Sequence, residues 1–188
     1  MFVWLVAVAP VALILAAPID AGAQTRTDQQ RPKTDAELIQ SAISAAPPAI
    51  SQDATIINME GSKVRTLRQG KNEYTCVPDD PSSPGNDPMC LDRNAMAWLQ
   101  AWMDHKDAPK GKMGLAYMLQ GGSDASNDDP FATSPPAGKA WVATGPHVMV
   151  VGMTGMLDSD LPRTADVPTK PFVMWGGSSY EHIMMPVK

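Results

Sequence analysis

The sequence predicts an α+β domain: a mainly antiparallel sheet with two helices packed on one face, long Pro/Gly-rich loops and one disulfide. Three observations carry that expectation. Segments with helical periodicity come early, and short apolar or β-branched runs dominate the second half, an order that favours α+β over alternating α/β. The 188 residues include 18 prolines and 14 glycines. That proline share is nearly twice the usual ~5%, so many turns interrupt the chain and a coiled coil or helical bundle is disfavoured. The only two cysteines, Cys76 and Cys90, flank a stretch rich in Pro, Asp and Ser that reads as a loop.

Taken from the start, Phe2 to Ala17 is almost wholly apolar and Ala21-Gly22-Ala23 follows, an A-x-A cleavage pattern. The run is shorter than the roughly 18 residues of a comfortable membrane span. Residues 1–23 therefore read as a secretory signal peptide, with an uncleaved anchor as the alternative. Residues 24–33 are polar and aperiodic, a flexible lead-in. Residues 34–188 form the expected single domain. No later segment approaches spanning length, so no membrane span is expected after cleavage. An even cysteine count behind an export signal favours a Cys76–Cys90 disulfide and a periplasmic or secreted location.

Thr34-Asp-Ala-Glu37 has the form of a capping box, and Leu38, Ile39, Ala42, Ile43 and Ala46 continue it at helical spacing until Pro47-Pro48. Ala54 to Asn58 is β-prone. Ser62 to Arg68 and Glu73 to Val77 look like a hairpin joined by Gln69-Gly-Lys-Asn72. Asp92 is a good N-cap for a second helix with an apolar stripe of Ala95, Met96, Leu99, Trp102 and Met103, widened by Trp98. His105 and Lys106 are expected in its last turn. Met113 to Leu119 and His147 to Val151 are apolar on both faces and read as central strands. Gly121 to Gly138 and Asp158 to Pro171 read as loops. Phe172 to Trp175 and His182 to Val187 are the final strands.

The second half resembles a family of uncharacterised exported bacterial proteins. The residues concerned are Tyr117-Met-Leu-Gln-Gly-Gly-Ser-Asp-Ala-Ser-Asn127, Thr144-Gly-Pro-His-Val-Met149, Trp175-Gly-Gly and Tyr180-Glu-His182. The resemblance implies export and one compact domain. It implies no activity.

Net charge is −5, which argues against a nucleic-acid partner. No H-E-x-x-H, P-loop, G-x-G-x-x-G or G-x-S-x-G motif is present. The sharpest pattern is a doubled H-x-M: His147-Val-Met149 and His182-Ile-Met184. Side chains at i and i+2 share a strand face, so two such strands side by side would gather His147, Met149, His182 and Met184 into a soft-metal cluster. Thioether and imidazole together suit copper. The competing reading is that methionine, at 13 residues, simply fills the core, with no cofactor. A second candidate is a small-ligand pocket, in which Gly121 and Gly122 allow close backbone approach and Ser123, Asp124, His147, Tyr180, Glu181 and His182 supply polar groups. Asp124, Ser126 and Asp128 mimic the first ligands of a calcium loop, but the Gly and Glu that such a loop needs are missing. Ser178 or Ser179 near His182, with Asp124 or Glu181, is the only hint of a hydrolase.

These features lead to an exported, methionine-rich protein with a non-catalytic binding or structural envelope role, its partner a small molecule or an envelope protein. A copper binder and an unrecognised hydrolase are the alternatives. Oligomeric state is left open by the sequence.

Overall fold

Thr34 starts the first helix. Its hydroxyl accepts the Glu37 N–H at 3.3 Å, and the Glu37 carboxylate accepts the Thr34 N–H at 2.7 Å. This reciprocal cap satisfies two donors that the helix cannot, and α1 runs Asp35–Ile43. The computed structural model describes residues 33–61, 63–157, 160–164 and 169–187. The expected signal peptide, residues 1–23, and the expected lead-in up to residue 32 thus lie outside the described residues. The Pro47-Pro48 pair does more than end a helix. Pro48 opens the single turn α2 (Pro48–Ser51), at a position where its missing N–H costs nothing.

The strands are β1 (Thr55–Glu60), β2 (Lys63–Arg68), β3 (Thr75–Val77), β4 (Met89–Leu91), β5 (Gly114–Met118), β6 (Gly122–Asp124), β7 (Val142–Thr144), β8 (His147–Val151), β9 (Phe172–Met174) and β10 (His182–Pro186). Helix α3 (Arg93–Met103) lies between β4 and β5. Eight strands form one sheet in the order β2-β1-β3-β4-β5-β8-β10-β9, and β6 pairs with β7 alone. Every pairing is antiparallel except that of β1 with β3. The α+β class, the mainly antiparallel sheet and the disulfide are all present. Among the described residues no helix is long and apolar enough to cross a membrane.

Three local expectations need correction. The hairpin lies one connection earlier than expected: β2 folds back on β1, with Glu60 opposite Lys63 across Gly61, whose φ of +59° suits a tight turn. Residues 69–72 instead wrap the start of β1. Lys71 and Asn72 donate to the Asp53 carbonyl at 2.7 and 3.1 Å. A Cβ on Gly70 would lie 2.2 Å from the Thr55 nitrogen, so only glycine permits this crossing, which carries β3 to the far side of β1 in parallel.

The two long helices lie on opposite faces of the sheet, not on one. Side chains alternate along a strand. Ile56, Cys76 and Cys90 pack with Ala42, Ala45 and Ala46 around α1. Their neighbours Ile57, Val77 and Leu91 pack with Ala95, Trp98 and Leu99 of α3.

Helix α3 also stops before His105. Asp104 is its C-cap, and His105 adopts φ +52°. The Lys106 N–H reaches the Ala101 carbonyl at 2.9 Å, the closure that usually employs glycine. His105 instead stacks on Phe131, with ring centroids 4.3 Å apart.

The disulfide joins residues that face each other directly across β3 and β4. Both cysteines are fully buried. The chain-entropy model gives a bond closing a loop of this size about 3 kcal/mol of stabilisation. Replacing both cysteines by alanine should lower the unfolding free energy by about that amount, read from the urea midpoint. A loss well under 1 kcal/mol would contradict it.

Candidate functional site

The doubled H-x-M strands do lie side by side, and their register decides what they bring together. β8 and β10 pair antiparallel with Met149 opposite Met184 and His147 opposite Pro186. The two methionines meet at the centre and the two histidines start from opposite ends of the pair. Four residues of strand separate them along the sheet, about 13 Å of backbone at ~3.4 Å per residue.

Both imidazoles are buried, and both are held the same way. His147 Nδ1 donates to the Gly145 carbonyl at 2.7 Å and His182 Nδ1 to the Tyr180 carbonyl at 2.8 Å. Since a carbonyl only accepts, each proton sits on Nδ1 and each Nε2 carries a bare lone pair. Neither Nε2 has a partner. Burial holds His147 below the usual imidazole range against the opposing pull of the Gly145 carbonyl. Burial likewise takes His182 down to about 4. Both rings are neutral at pH 7.

Their surroundings differ. His182 is packed edge-on against Trp98 and Trp175, at centroid distances of 5.3 and 5.0 Å. Trp98 Nε1, a donor, is also buried without a partner, so donor and acceptor of one complementary pair sit in adjacent rings. Trp175 is stacked between Trp98 and Trp102 at 5.9 and 6.3 Å, and Tyr180 packs edge-on to Trp98. The tryptophans expected in the core are there. The whole end around His182 is aromatic packing.

The neighbouring Gly176-Gly177-Ser178 turn is also filled. The space beside Gly176 holds the Arg163 guanidinium, which pairs with Glu181 at 3.0 Å. The Gly177 N–H donates to the same carboxylate at 2.8 Å. Burial alone would raise the Glu181 pKa, but these two partners outweigh it and hold the carboxyl below its usual range. Ser178 Oγ donates to the Trp175 carbonyl and accepts the Tyr180 N–H. Ser178, Glu181 and His182 are thus each committed to a backbone turn or an ion pair, and their hydrogen bonds do not link them as a triad requires.

The pocket residues named from sequence therefore fall into two groups. Tyr180, Glu181 and His182 belong to the aromatic end. Gly121, Gly122, Ser123, Asp124 and His147 gather at the opposite corner, where β6, β7 and the first residue of β8 meet the disulfide loop. Gly85 of that loop donates its N–H to Ser123 Oγ at 2.9 Å. A Cβ on Gly122 would lie 2.9 Å from the Met118 methyl, 3.6 Å from Asp87 Cβ and 3.7 Å from His147 Cε1. Gly122 is opposite Thr144 in register, and Asp124 follows two residues on, so all three face the same side. Thr144 is 7% exposed and its Oγ1 has no partner. Burial, and then the charge of Asp87, pushes the Asp124 carboxyl up to about 7. Burial raises Asp87 as well. The calcium-like stretch is a self-capped turn: Ser126 Oγ accepts from the Asp128 and Asp129 N–H groups.

Three members of the corner escaped the sequence reading: Thr144, Met118 and Asp87. Thr144 lies in the quoted Thr144–Met149 stretch, but only the β6–β7 pairing aims it at Gly122. Met118 faces His147 through the β5–β8 register. Asp87 arrives on the disulfide loop. Among the described residues no three His, Cys, Asp or Glu side chains converge to hold a metal.

Compared with family models, curated proteins and solved structures, the chain shows no significant match.

The shifted groups make stability depend on pH in opposite directions. Folded Asp124 keeps its proton to about pH 7, whereas the unfolded chain releases it near pH 4. The folded state binds the extra proton in between, so this contribution is lost as pH rises from about 4 to 7. His182, folded value about 4, works in reverse and loses its contribution as pH falls from about 6.5 to 4. Asp124→Asn should raise Tm by several °C at pH 8 and change it little at pH 4. Equal shifts at both values would refute the assignment.

Proposed function

We propose that this chain is an exported protein that binds a small ligand without transforming it, and that the ligand docks at the Gly122 corner. One observation carries the reading. His147 Nε2 and Thr144 Oγ1 are both buried polar atoms without partners; the His147 ring lies beside Gly122 and Thr144 stands opposite it across β6 and β7. Leaving a buried polar atom unsatisfied costs about 1–3 kcal/mol, and a bound ligand that pairs with both removes that cost. At the aromatic end His182 Nε2 and Trp98 Nε1 are likewise without partners, but there the two rings are packed edge-on against each other.

Non-catalytic binding fits the commitments of Ser178, Glu181 and His182, which leave no activated nucleophile there. Export is supported by the A-x-A pattern behind an apolar run and by a buried disulfide, which persists in oxidising compartments. A periplasmic or secreted location follows from that reading.

Two measurements test it. Mass spectrometry of the protein recovered from producing cells should find a chain beginning at Gln24; recovery only of chain still beginning at Met1 would count against export by cleavage. Screening the oxidised protein against small polar and cationic probes by amide NMR should perturb Gly122, Ser123, Asp124 and Thr144 together. Gly122→Val, whose side chain would fill the space beside Met118 and His147, should abolish the perturbation while the fold persists. Equal binding of every probe to wild type and Gly122→Val would sink the assignment.

A further inference from the structure

We propose that the Gly122 corner is a site for a soft monovalent metal ion, Cu(I), bound by His147 Nε2 and the thioethers of Met118 and Met149. This rests on the reading of that corner as a binding site and names the class of ligand. Met118 stands directly opposite His147 across β5 and β8, and Met149 follows two residues along β8 on the same face. Opposed Cβ atoms in such a pair lie about 4.5–5.5 Å apart, within reach of a flexible methionine. Three soft donors thus rise from adjacent positions of one sheet face.

The imidazole is already set as a metal ligand is set. Its Nδ1 proton is fixed on the Gly145 carbonyl, the outer contact that selects the tautomer and orients the opposite nitrogen. That nitrogen is buried and unpartnered. Both methionines are buried, at 7% and 6% exposure. Asp87 and Asp124 stand on the Gly122 side, and a bound cation would favour their charged forms.

Donor chemistry then chooses the ion. No set of three His, Cys, Asp or Glu side chains converges among the described residues, so zinc lacks its usual ligands. Thioether with imidazole is a set that Cu(I) accepts. The ligands differ from the four that the doubled H-x-M suggests. Antiparallel pairing carries His182 to the aromatic end, and Met118, from a third strand, takes its place beside His147.

The test titrates the oxidised full-length protein with Ag(I), the closed-shell stand-in for Cu(I), while methionine methyl and histidine ring-nitrogen resonances are followed. One equivalent should move the Met118 and Met149 methyls and His147 Nε2 together. Met113 and Met156, 58% and 66% exposed, should stay unmoved and serve as internal controls. Met118→Leu conserves volume and should weaken binding about tenfold or more, on the scale that metal-site changes produce, with Tm little altered. His147→Gln should do the same. Shifts confined to Met113 and Met156, or one-equivalent binding that survives both substitutions, overturn the metal site. Failure of Ag(I) to bind, while polar probes still perturb wild type and not Gly122→Val, removes the metal and leaves the binding corner. No effect of Gly122→Val on any probe removes both.

Discussion

Met149 faces Met184 across β8 and β10, and much of the molecule follows from that register. It places the second-half methionines Met118, Met149, Met174 and Met184 on the α3 face of the sheet, in one apolar layer under Trp98 and Leu99. It also sends the two histidines to opposite corners. A slip of one residue between the two strands would turn one of them over relative to the other, setting either Val148 and Val150 or Ile183 where a methionine now packs. The chemistry near His147 and the packing near His182 are consequences of one alignment.

The two corners are packed differently. At the aromatic end rings stack on one another, although Trp98 Nε1 and His182 Nε2 stay unpartnered. Trp175 holds φ +53°, a conformation that costs a non-glycine residue on the order of 1–3 kcal/mol. Its ring stacks on both Trp98 and Trp102, its N–H reaches Asn127 and its indole nitrogen reaches Ser126. Stacking at ~0.5–1.5 kcal/mol per pair, with two hydrogen bonds, offsets the strain. Arg163 and Glu181 close the turn that follows. The Gly122 corner keeps its histidine and threonine unpaired beside a residue that has no side chain to pair with them.

Several local signals hold because their physics is local. The Thr34–Glu37 cap, the Asp92 cap, the apolar run of β8 and the paired cysteines each involve neighbours in the chain or one loop closure. What the sequence did not disclose was long-range. Nothing in residues 54–60 says which of their two faces α1 will cover. The parallel approach of β3 depends on Gly70 fitting against the Thr55 backbone, fifteen positions away. Strand β6 falls inside the expected loop Gly121 to Gly138, because Gly122-Ser-Asp124 has no apolar alternation. The doubled H-x-M marks two strands that do pair, but Met118 comes beside His147 from a third strand, and a cross-strand neighbour is invisible until register is known.

The placement of the disulfide has a consequence of its own. Cys76 and Cys90 face each other in register and both point into the α1 side of the sheet. Were β3 and β4 to misalign by one position, one sulfur would turn to the α1 face and the other to the α3 face, too far apart to bond. Oxidation therefore proofreads alignment. The covalent bond records that β3 and β4, and with them the loop that carries Asp87 over the Gly122 corner, have reached their correct partners, and it then makes that choice hard to reverse outside a reducing compartment.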